Sequence, residues 1–193
     1  MAIPITNTPY ALKSKVGQAV DDFASKESPS QLDLENVNVI AQVEKGLLAY
    51  REKGKTMDVP TLENEDHLSA RLAQYLEETG FDRPNEYCHA HAIVSGAHPE
   101  AAKARAVLAW CRMRIDDAHN GCWLPRTTAA KAFMPRHLRN AVPHSRIHRY
   151  NYYFWLNSRI NLGMTPTFDK AAQTLGNGRD CATASGIPSL CYE

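Results

Sequence analysis

Only two short stretches of the chain carry the pattern of β-strands, and this limits the fold to a very small sheet. Residues 88–95 (CHAHAIVS) include the apolar pair Ile93 and Val94, and CWLP follows an Asn-Gly turn signal and stops at Pro125. Between them, HPEAAKARAVLAWCRMR is rich in alanine and arginine and has a proline in its first turn, which favours a helix. The sequence therefore predicts an α+β fold that is mainly helical, with one two-stranded hairpin.

Residues 1–86 are predicted to form an acidic helical region. Their apolar residues recur three or four apart in three segments, as on one face of a helix: Leu12, Val16, Val20 and Phe23; Val39, Val43, Leu47 and Tyr50; Leu68, Leu72 and Leu76. This region has nine Lys/Arg and fifteen Asp/Glu, a net charge of −6. Residues 87–163 are predicted as the core that contains the hairpin, and residues 164–193, with breakers such as Pro166 and Gly176, as an irregular tail.

The charge is reversed in the second half of the chain. Residues 87–193 carry thirteen Lys/Arg and six Asp/Glu, and seven of the eight histidines lie between His89 and His148. A basic segment that concentrates histidines suits a polyanionic partner, most simply nucleic acid. On charge alone, a basic surface that binds no polyanion explains the pattern equally well.

The cysteine and hydropathy patterns indicate a reduced protein without a signal peptide. The five cysteines are an odd number without C-x-x-C spacing, which argues against a disulfide framework and against a cysteine-rich zinc finger. No apolar run is long enough to cross a bilayer, and MAIPITNTPYALKSK lacks the basic and apolar regions of a signal peptide. We therefore expect synthesis in the cytoplasm, no membrane insertion, and export only through a dedicated machinery.

Three histidines are candidate metal ligands. His144 and His148 in HSRIH are four residues apart and would face the same side of a helix. His91, from the first predicted strand, is the natural third ligand. Neutral imidazoles suit zinc, nickel and other divalent metals, and three protein ligands leave room for water or a phosphate oxygen. This arrangement is typical of a catalytic rather than a structural site.

The order of these elements resembles the AHH family of bacterial toxin nucleases in the HNH/endonuclease VII (ββα-metal) superfamily. The resemblance covers roughly residues 86–160 and rests on AHAIVSGAHPEAAKARAVL, IDDAHNGCWLP and HSRIHRYNYYFWLNSRI. Ala90 and His91 match the first two letters of the Ala-His-His motif, whereas Ala92 stands where the family has its second histidine. The resemblance implies that His91 binds the metal and that residue 92 is the position of the general base, a role that alanine cannot fill.

The remaining site residues follow from the resemblance and from charge. The resemblance implies that Asn120 holds the loop and orients the base, and that His144 and His148 complete a site for one divalent ion, Mg²⁺, Mn²⁺, Ni²⁺ or Zn²⁺. The arginines predicted to contact phosphate are Arg146 and Arg149, followed by Arg126, Arg136 and Arg139. The implied function is a metal-dependent, largely sequence-nonspecific DNA endonuclease. It would serve as an interbacterial toxin with a cognate immunity protein, delivered by a specialised secretion system.

Several alternatives remain open at this point. Ala92 indicates either a degenerate family member or a deliberate histidine-to-alanine change that disarms a toxic nuclease, and the intact remainder of the motif favours the second. The alternatives to a nuclease are a non-catalytic nucleic-acid-binding domain with a structural histidine site, and a helical adaptor fused to a decayed nuclease. His89 is displaced by two residues from His91, too far to replace the base. The aromatic run Tyr152–Trp155 is interpreted as core. The other histidines are interpreted as capping or surface residues: His67, His98, His119 and His137.

Overall fold

The structure, a computed structural model, describes the backbone of residues 8–183 and the side chains of residues 8–176. Its helices are α1 (Lys15–Ala24), α2 (Gln31–Thr56), α3 (Val59–Glu63), α4 (Ser69–Glu78), α5 (Ala102–Trp110), α6 (His144–Ile147), α7 (Tyr150–Arg159) and α8 (Phe168–Thr183). Its strands are β1 (Cys88–Ala92) and β2 (Gly121–Pro125). Short 3-10 turns, among them Pro99–Ala101 and Ala118–Asn120, connect several of these elements. Over the described residues, no helix combines the length and the hydropathy that a membrane span requires.

The two strands pair in antiparallel fashion, from Cys88 opposite Pro125 to Ala92 opposite Gly121. α5 and the 3-10 turns on either side of it are inserted between the strands, so a folded segment rather than a tight turn closes the hairpin. The Asn-Gly pair lies at the junction between the second of these turns and β2. The predicted α+β class, mainly helical with one small two-stranded hairpin, is confirmed.

α4 covers one face of this hairpin. Leu72 and Leu76 of α4 are fully buried in the main hydrophobic core. A Cβ atom on Gly121 would lie 2.7 Å from Cδ1 of Leu72, so a larger residue where β2 begins would force this buried side chain to shift. Because side chains alternate along a strand, His91 points to the other face, where its ring meets His144 of α6.

The acidic N-terminal helices are attached to this core through α2 and α4. α2 begins with a capping box, in which Ser30 and Asp33 exchange hydrogen bonds between side chain and backbone. Its second half buries Tyr50 against Tyr75 of α4, with ring centroids 5.3 Å apart. The helical character predicted for residues 1–86 is thus observed over the part that the structure describes. Because α4 also packs on both strands, the boundary placed at residue 86 stays a prediction.

The prediction of an irregular tail from residue 164 is wrong for residues 168–183, which form α8. Ala171 and Leu175 are fully buried in the main core on one side of this helix. Gly176, interpreted from the sequence as a breaker, lies inside α8. A helical glycine costs roughly 0.5–1 kcal/mol, which is less than the roughly 1.5–3 kcal/mol gained by burying a leucine. Residues 184–193 lie outside the described part of the chain.

Candidate metal centre

Three imidazoles from two elements meet beside the hairpin. His91 comes from β1, His144 begins α6, and His148 directly follows the last residue of α6. One ring nitrogen of each histidine lies within 4.8 Å of those of the other two. The ring centroid of His91 is 5.1 Å from that of His144 and 5.2 Å from that of His148. The three residues predicted as metal ligands therefore converge, and the binding of an ion stays a prediction.

His91 is the buried member of this histidine cluster, with 2% of its surface exposed. Its Nε2 lies 3.2 Å from the hydroxyl oxygen of Tyr152, and this hydroxyl donates its hydrogen to the carbonyl oxygen of Ile93 at 2.5 Å. Nε2 of His91 must then be the donor to Tyr152, which leaves a lone pair on Nδ1. Burial, and to a lesser degree the nearby imidazoles, lowers the pKa of His91 well below its usual value. The ring is therefore neutral near pH 7, which is the form that binds metals.

His144 and His148 form the accessible side of the cluster, since His144 is half-buried and His148 is exposed. Burial, and then the charges of His148 and His89, lowers the pKa of His144 to about 4. Burial, and then His98, lowers the pKa of His148. Nδ1 of His148 lies 2.7 Å from the hydroxyl of Tyr153, a contact of the kind that orients a ligating histidine. Three neutral imidazoles, two of them held by tyrosines, fit a divalent transition metal.

Two further histidines, His89 and His98, flank the cluster, and sequence reasoning assigned neither of them a part in it. Nδ1 of His89 lies 3.4 Å from Nδ1 of His144. The ring of His98 stacks on Tyr153 with centroids 4.1 Å apart, and its centroid lies 6.3 Å from that of His148. Because side chains alternate along a strand, the sequence indicates that His89 lies on the same face of β1 as His91. No local pattern in the sequence places His98 near the cluster.

Asn120 is fully buried and ties the end of β1 to the segment before β2. Its side-chain oxygen accepts a hydrogen bond from the N–H of Val94 at 2.8 Å. Its amide group donates to the carbonyl oxygens of Val94 at 3.1 Å and Ile115 at 2.8 Å. Its main-chain carbonyl accepts from the N–H of Ile93 at 2.8 Å. These bonds fix Ile93 and Val94, the two residues that follow Ala92, which suits the loop-holding role predicted for Asn120. That Asn120 orients a base at residue 92 stays a prediction.

Ala92 is buried in the main core, with 4% of its surface exposed. It pairs with Gly121, which lies against Leu72 and Leu76 of α4. Paired residues on neighbouring strands point to the same face of a sheet, and His91, the preceding residue, points to the opposite face. A larger side chain at residue 92 must therefore displace part of this packing, or bend the end of β1, in order to reach the cluster.

The five arginines predicted to contact phosphate are all exposed: Arg126, Arg136, Arg139, Arg146 and Arg149. Arg146 lies within α6 and Arg149 directly follows His148, so both are next to candidate ligands. Arg126 lies over the ring of Tyr87 at 5.1 Å, and Arg139 donates from Nε to the carbonyl of Met134 at 3.1 Å. Two of the five arginines are thus neighbours of candidate ligands in the sequence, and the contact of the five with nucleic acid stays a prediction.

The aromatic run on α7 is core only in part. Tyr152 and Tyr153 are buried, and Trp155 is half-buried against the main core. Phe154, which was interpreted as core, is 68% exposed, so that interpretation is wrong for this residue. The physical reason is the helical period, because each residue is turned by about 100° from the one before it and four consecutive side chains cannot share one face.

A separate set of polar contacts is centred on Asp116 and includes His67. Asp116 is fully buried and accepts hydrogen bonds from the N–H of Leu68 at 2.9 Å and from Nε of Arg71 at 2.8 Å. Its other carboxylate oxygen is hydrogen-bonded to the ring of His67. The N–H of Asp116 also donates to the hydroxyl of Tyr50 at 2.9 Å. These contacts join α2 and α4 to the segment that precedes β2.

Asp117, the next residue, is bound in the same manner. Nε and Nη2 of Arg51 donate to its two oxygens at 2.7 and 2.9 Å, and the ring of His119 lies 2.8 Å from it. Burial alone would raise the pKa of Asp117, but the hydrogen bonds from His119 and Arg51 outweigh it and hold that pKa well below its usual range. We refer to the two carboxylates with their arginine and histidine partners as the carboxylate network.

His98 does act as a cap, because its Nδ1 accepts a hydrogen bond from the N–H of Glu100, and His137 is exposed.

The fold and the site together define a small two-stranded hairpin. Its first strand, β1, and the helix α6, which comes after the hairpin in the chain, bring three histidines together. Residues 72–165 match the model of the AHH family, described as a nuclease family of the HNH/ENDO VII superfamily with conserved AHH. This part of the chain, just under half of its length, belongs to that nuclease family. No curated protein and no solved structure matches the chain. HNH/ENDO VII nucleases use a divalent metal, and the histidine cluster lies inside the matched residues.

Proposed function

We propose that the chain is a metal-dependent endonuclease that hydrolyses phosphodiester bonds in DNA with little sequence preference. The observation that carries this proposal is the convergence of His91, His144 and His148 within 4.8 Å, inside residues that belong to a nuclease family. Arg146 and Arg149, which are exposed and lie next to the ligands in the sequence, add the positive charge that a phosphate backbone requires. The neutral state of the three imidazoles supports metal binding at physiological pH.

The histidine cluster would hold one divalent ion, with Mg²⁺, Mn²⁺, Ni²⁺ and Zn²⁺ as the candidates. Such an ion supplies Lewis-acid stabilisation of the negative charge that develops on the phosphate and on the leaving oxygen. Nitrogen ligands favour Zn²⁺ or Ni²⁺, whereas Mg²⁺ prefers oxygen. Metal screening in the experiment below therefore includes all four ions.

The chain's own residues would bind and orient the substrate. Tyr152 and Tyr153 hold two of the ligand rings through their hydroxyl groups. Arg146 and Arg149 would contact the phosphates on either side of the scissile bond, and so set the position of the strand without reading its sequence. The phosphate would approach from the accessible side of the cluster, because His91 lies at its buried end.

The chain lacks the group that would activate the attacking water. Ala92 holds the position of the general base in the family motif, and a methyl group cannot accept a proton. General-base assistance contributes about 10²- to 10⁴-fold to such reactions. We propose that Ala92 lowers turnover by about this factor and leaves metal and DNA binding intact.

The biological role that we propose is that of an interbacterial toxin domain. It would be made in the cytoplasm of a bacterium, delivered into a target cell by a specialised secretion system, and neutralised in the producing cell by an immunity protein. The support is the resemblance of its motif to toxin nucleases, together with its membership of the AHH family. Cleavage of nucleic acid in a competing cell is a use to which a nuclease without sequence preference is suited.

The test is plasmid cleavage by the full chain and by its Ala92→His variant, with each of the four metals. We expect the variant to nick and linearise plasmid about 10²- to 10⁴-fold faster than the parent chain. Because residue 92 is buried, thermal melting must show that the variant is folded. Ala92→Gln is the matched control, since it adds a side chain of similar size that is a poor proton acceptor.

Each outcome separates the parts of this proposal. Cleavage by the histidine variant alone supports both the nuclease and the role of residue 92. Equal metal-dependent cleavage by the parent and both variants supports the nuclease function and shows that Ala92 does not limit turnover. If no folded variant cleaves with any metal, and His148→Ala still weakens metal binding, the chain is better described as a non-catalytic nucleic-acid-binding domain with a structural metal site. The buried position of Ala92 is the observation that favours this second function.

A further inference from the structure

Two aromatic side chains face solvent on α7, the helix that begins two residues after His148. Tyr150 and Phe154 are 71% and 68% exposed and lie one helical turn apart. Their ring centroids are 6.4 Å apart, and the ring planes are inclined by only 27°. Tyr153 and Leu156 of the same helix are buried in the main core. α7 therefore presents one aromatic face to the core and a second one to solvent.

The sequence on either side of this exposed pair is basic. Tyr150 directly follows Arg149 and is two residues from His148, so the backbones of Tyr150 and His148 are at most about 7 Å apart. In the sequence, no Asp or Glu occurs between Asp117 and Asp169, and this stretch holds seven Lys/Arg. Exposed aromatic rings within a basic segment suit a ligand that combines negative charge with flat apolar groups. A nucleic-acid strand with free bases has this combination.

We propose that Tyr150 and Phe154 stack on unpaired bases of the strand whose phosphate lies at the histidine cluster. Single-stranded or locally opened nucleic acid is then the preferred substrate of the nuclease proposed above, on which this inference rests. In a duplex the base faces are covered by their neighbours, and exposing one of them costs a few kcal/mol in unstacking and unpairing. A single strand offers its phosphates and its base faces to the protein at the same time.

An exposed pair of apolar side chains can also bind a protein partner. The position of the pair in the chain favours nucleic acid, because the exposed Arg149 directly precedes Tyr150, the exposed Arg146 is four residues before it, and both carry the charge that a phosphate backbone would meet. Base stacking requires flat aromatic faces, whereas a hydrophobic contact between proteins requires mainly apolar area. Replacement by leucine separates the two cases, because leucine keeps apolar area and helix propensity and removes the aromatic face.

The test is the binding of a fluorescent oligonucleotide of about 12 nucleotides, within the range of known single-strand site sizes, to the full chain in EDTA. The oligonucleotide is offered as a single strand and as a duplex, and fluorescence anisotropy gives both affinities. We expect the parent chain to prefer the single strand. In the Tyr150→Leu/Phe154→Leu double variant, single-strand affinity should fall by about 5- to 100-fold and duplex affinity by less than about 2-fold. Tyr150→Phe, which keeps both aromatic faces, should bind like the parent.

Trp110→Leu provides the matched control, because Trp110 is 64% exposed at the end of α5 and lies outside the proposed stacking site. Its affinities for both forms should equal those of the parent. An equal loss for single strand and duplex in the double variant, or no loss at all, overturns the proposal. A parent chain that prefers duplex, or binds neither form, overturns it as well. Since binding is measured without metal or turnover, a chain that cleaves nothing but shows the expected loss refutes only the nuclease.

Discussion

The histidine cluster and the carboxylate network each have buried polar groups at their centre, His91 in the first and Asp116 and Asp117 in the second, but the partners of these groups differ. In the network, Asp116 and Asp117 each meet an arginine and a histidine, so the buried charges are paired. In the cluster, His91 and His148 meet tyrosine hydroxyls, which leaves each ring a nitrogen for a ligand. The comparison teaches that the partner of a histidine, more than its burial, decides whether the ring is a fixed part of the fold or is available to an ion.

The largest effect is expected when the network is broken. In Asp116→Ala, Arg71 and His67 lose the carboxylate that joins them, and Arg71 keeps a charge without this partner. We expect the free energy of unfolding, measured by urea denaturation, to fall by about 3–5 kcal/mol. Glu77→Ala, an exposed change on α4, should alter it by less than about 0.5 kcal/mol. A similar small loss in Asp116→Ala would mean that the network does not hold α4 to the core.

Removal of a hydroxyl from the cluster should act on metal binding instead. Tyr153→Phe deletes the partner of Nδ1 of His148, and we expect the affinity for Zn²⁺ or Ni²⁺ to fall by about 10- to 100-fold. Isothermal titration calorimetry measures this affinity, and Tyr150→Phe, an exposed change on the same helix, serves as the control. The free energy of unfolding should fall by only about 0.5–1.5 kcal/mol. An unchanged affinity with a large loss of stability would erase the contrast between the two regions.

The smallest effect is expected at a carboxylate outside both regions. Burial, and then the charge of Glu44, raises the pKa of Glu78 to about 7, above its unfolded value of 4.5. The folded state therefore binds this proton more tightly, and the contribution of Glu78 to stability falls as the pH rises from about 4.5 to about 7. Glu78→Gln should raise the melting temperature at pH 8 by about 1–2 °C, because solvent screens a half-exposed group, and should have almost no effect at pH 4. An equal shift at both pH values would show that the carboxylate's charge is not its cause.

Features with a strong local pattern could be predicted from the sequence. The strands were visible as short apolar stretches bounded by breakers, and most helices as apolar residues three or four apart. The spacing of His144 and His148, combined with the family motif around His91, predicted which three rings meet. α8 was missed because Gly176 is a local signal, whereas the burial of Leu175 depends on the rest of the core.

Contacts between residues far apart in the chain could not be predicted. His67 is bonded to a carboxylate 49 residues away, and His91 to a tyrosine 61 residues away. Nothing in the sequence distinguishes these two histidines. Only the fold gives His67 a charged partner and His91 a neutral one. The same reason hid the contacts of His98 with Tyr153, and the two tyrosines that hold the cluster.

The folded segment between the strands has a consequence for the order of folding. β1 and β2 cannot pair as a local hairpin, because residues 93–120 must first be brought into a closed loop. The histidine cluster then forms only when His144 and His148, which lie still further along the chain, reach His91. Contacts of such long range form slowly compared with local ones. We therefore expect the three rings to come together late, so that a nascent or partly unfolded chain has no competent centre and any hydrolytic activity begins only with the finished molecule.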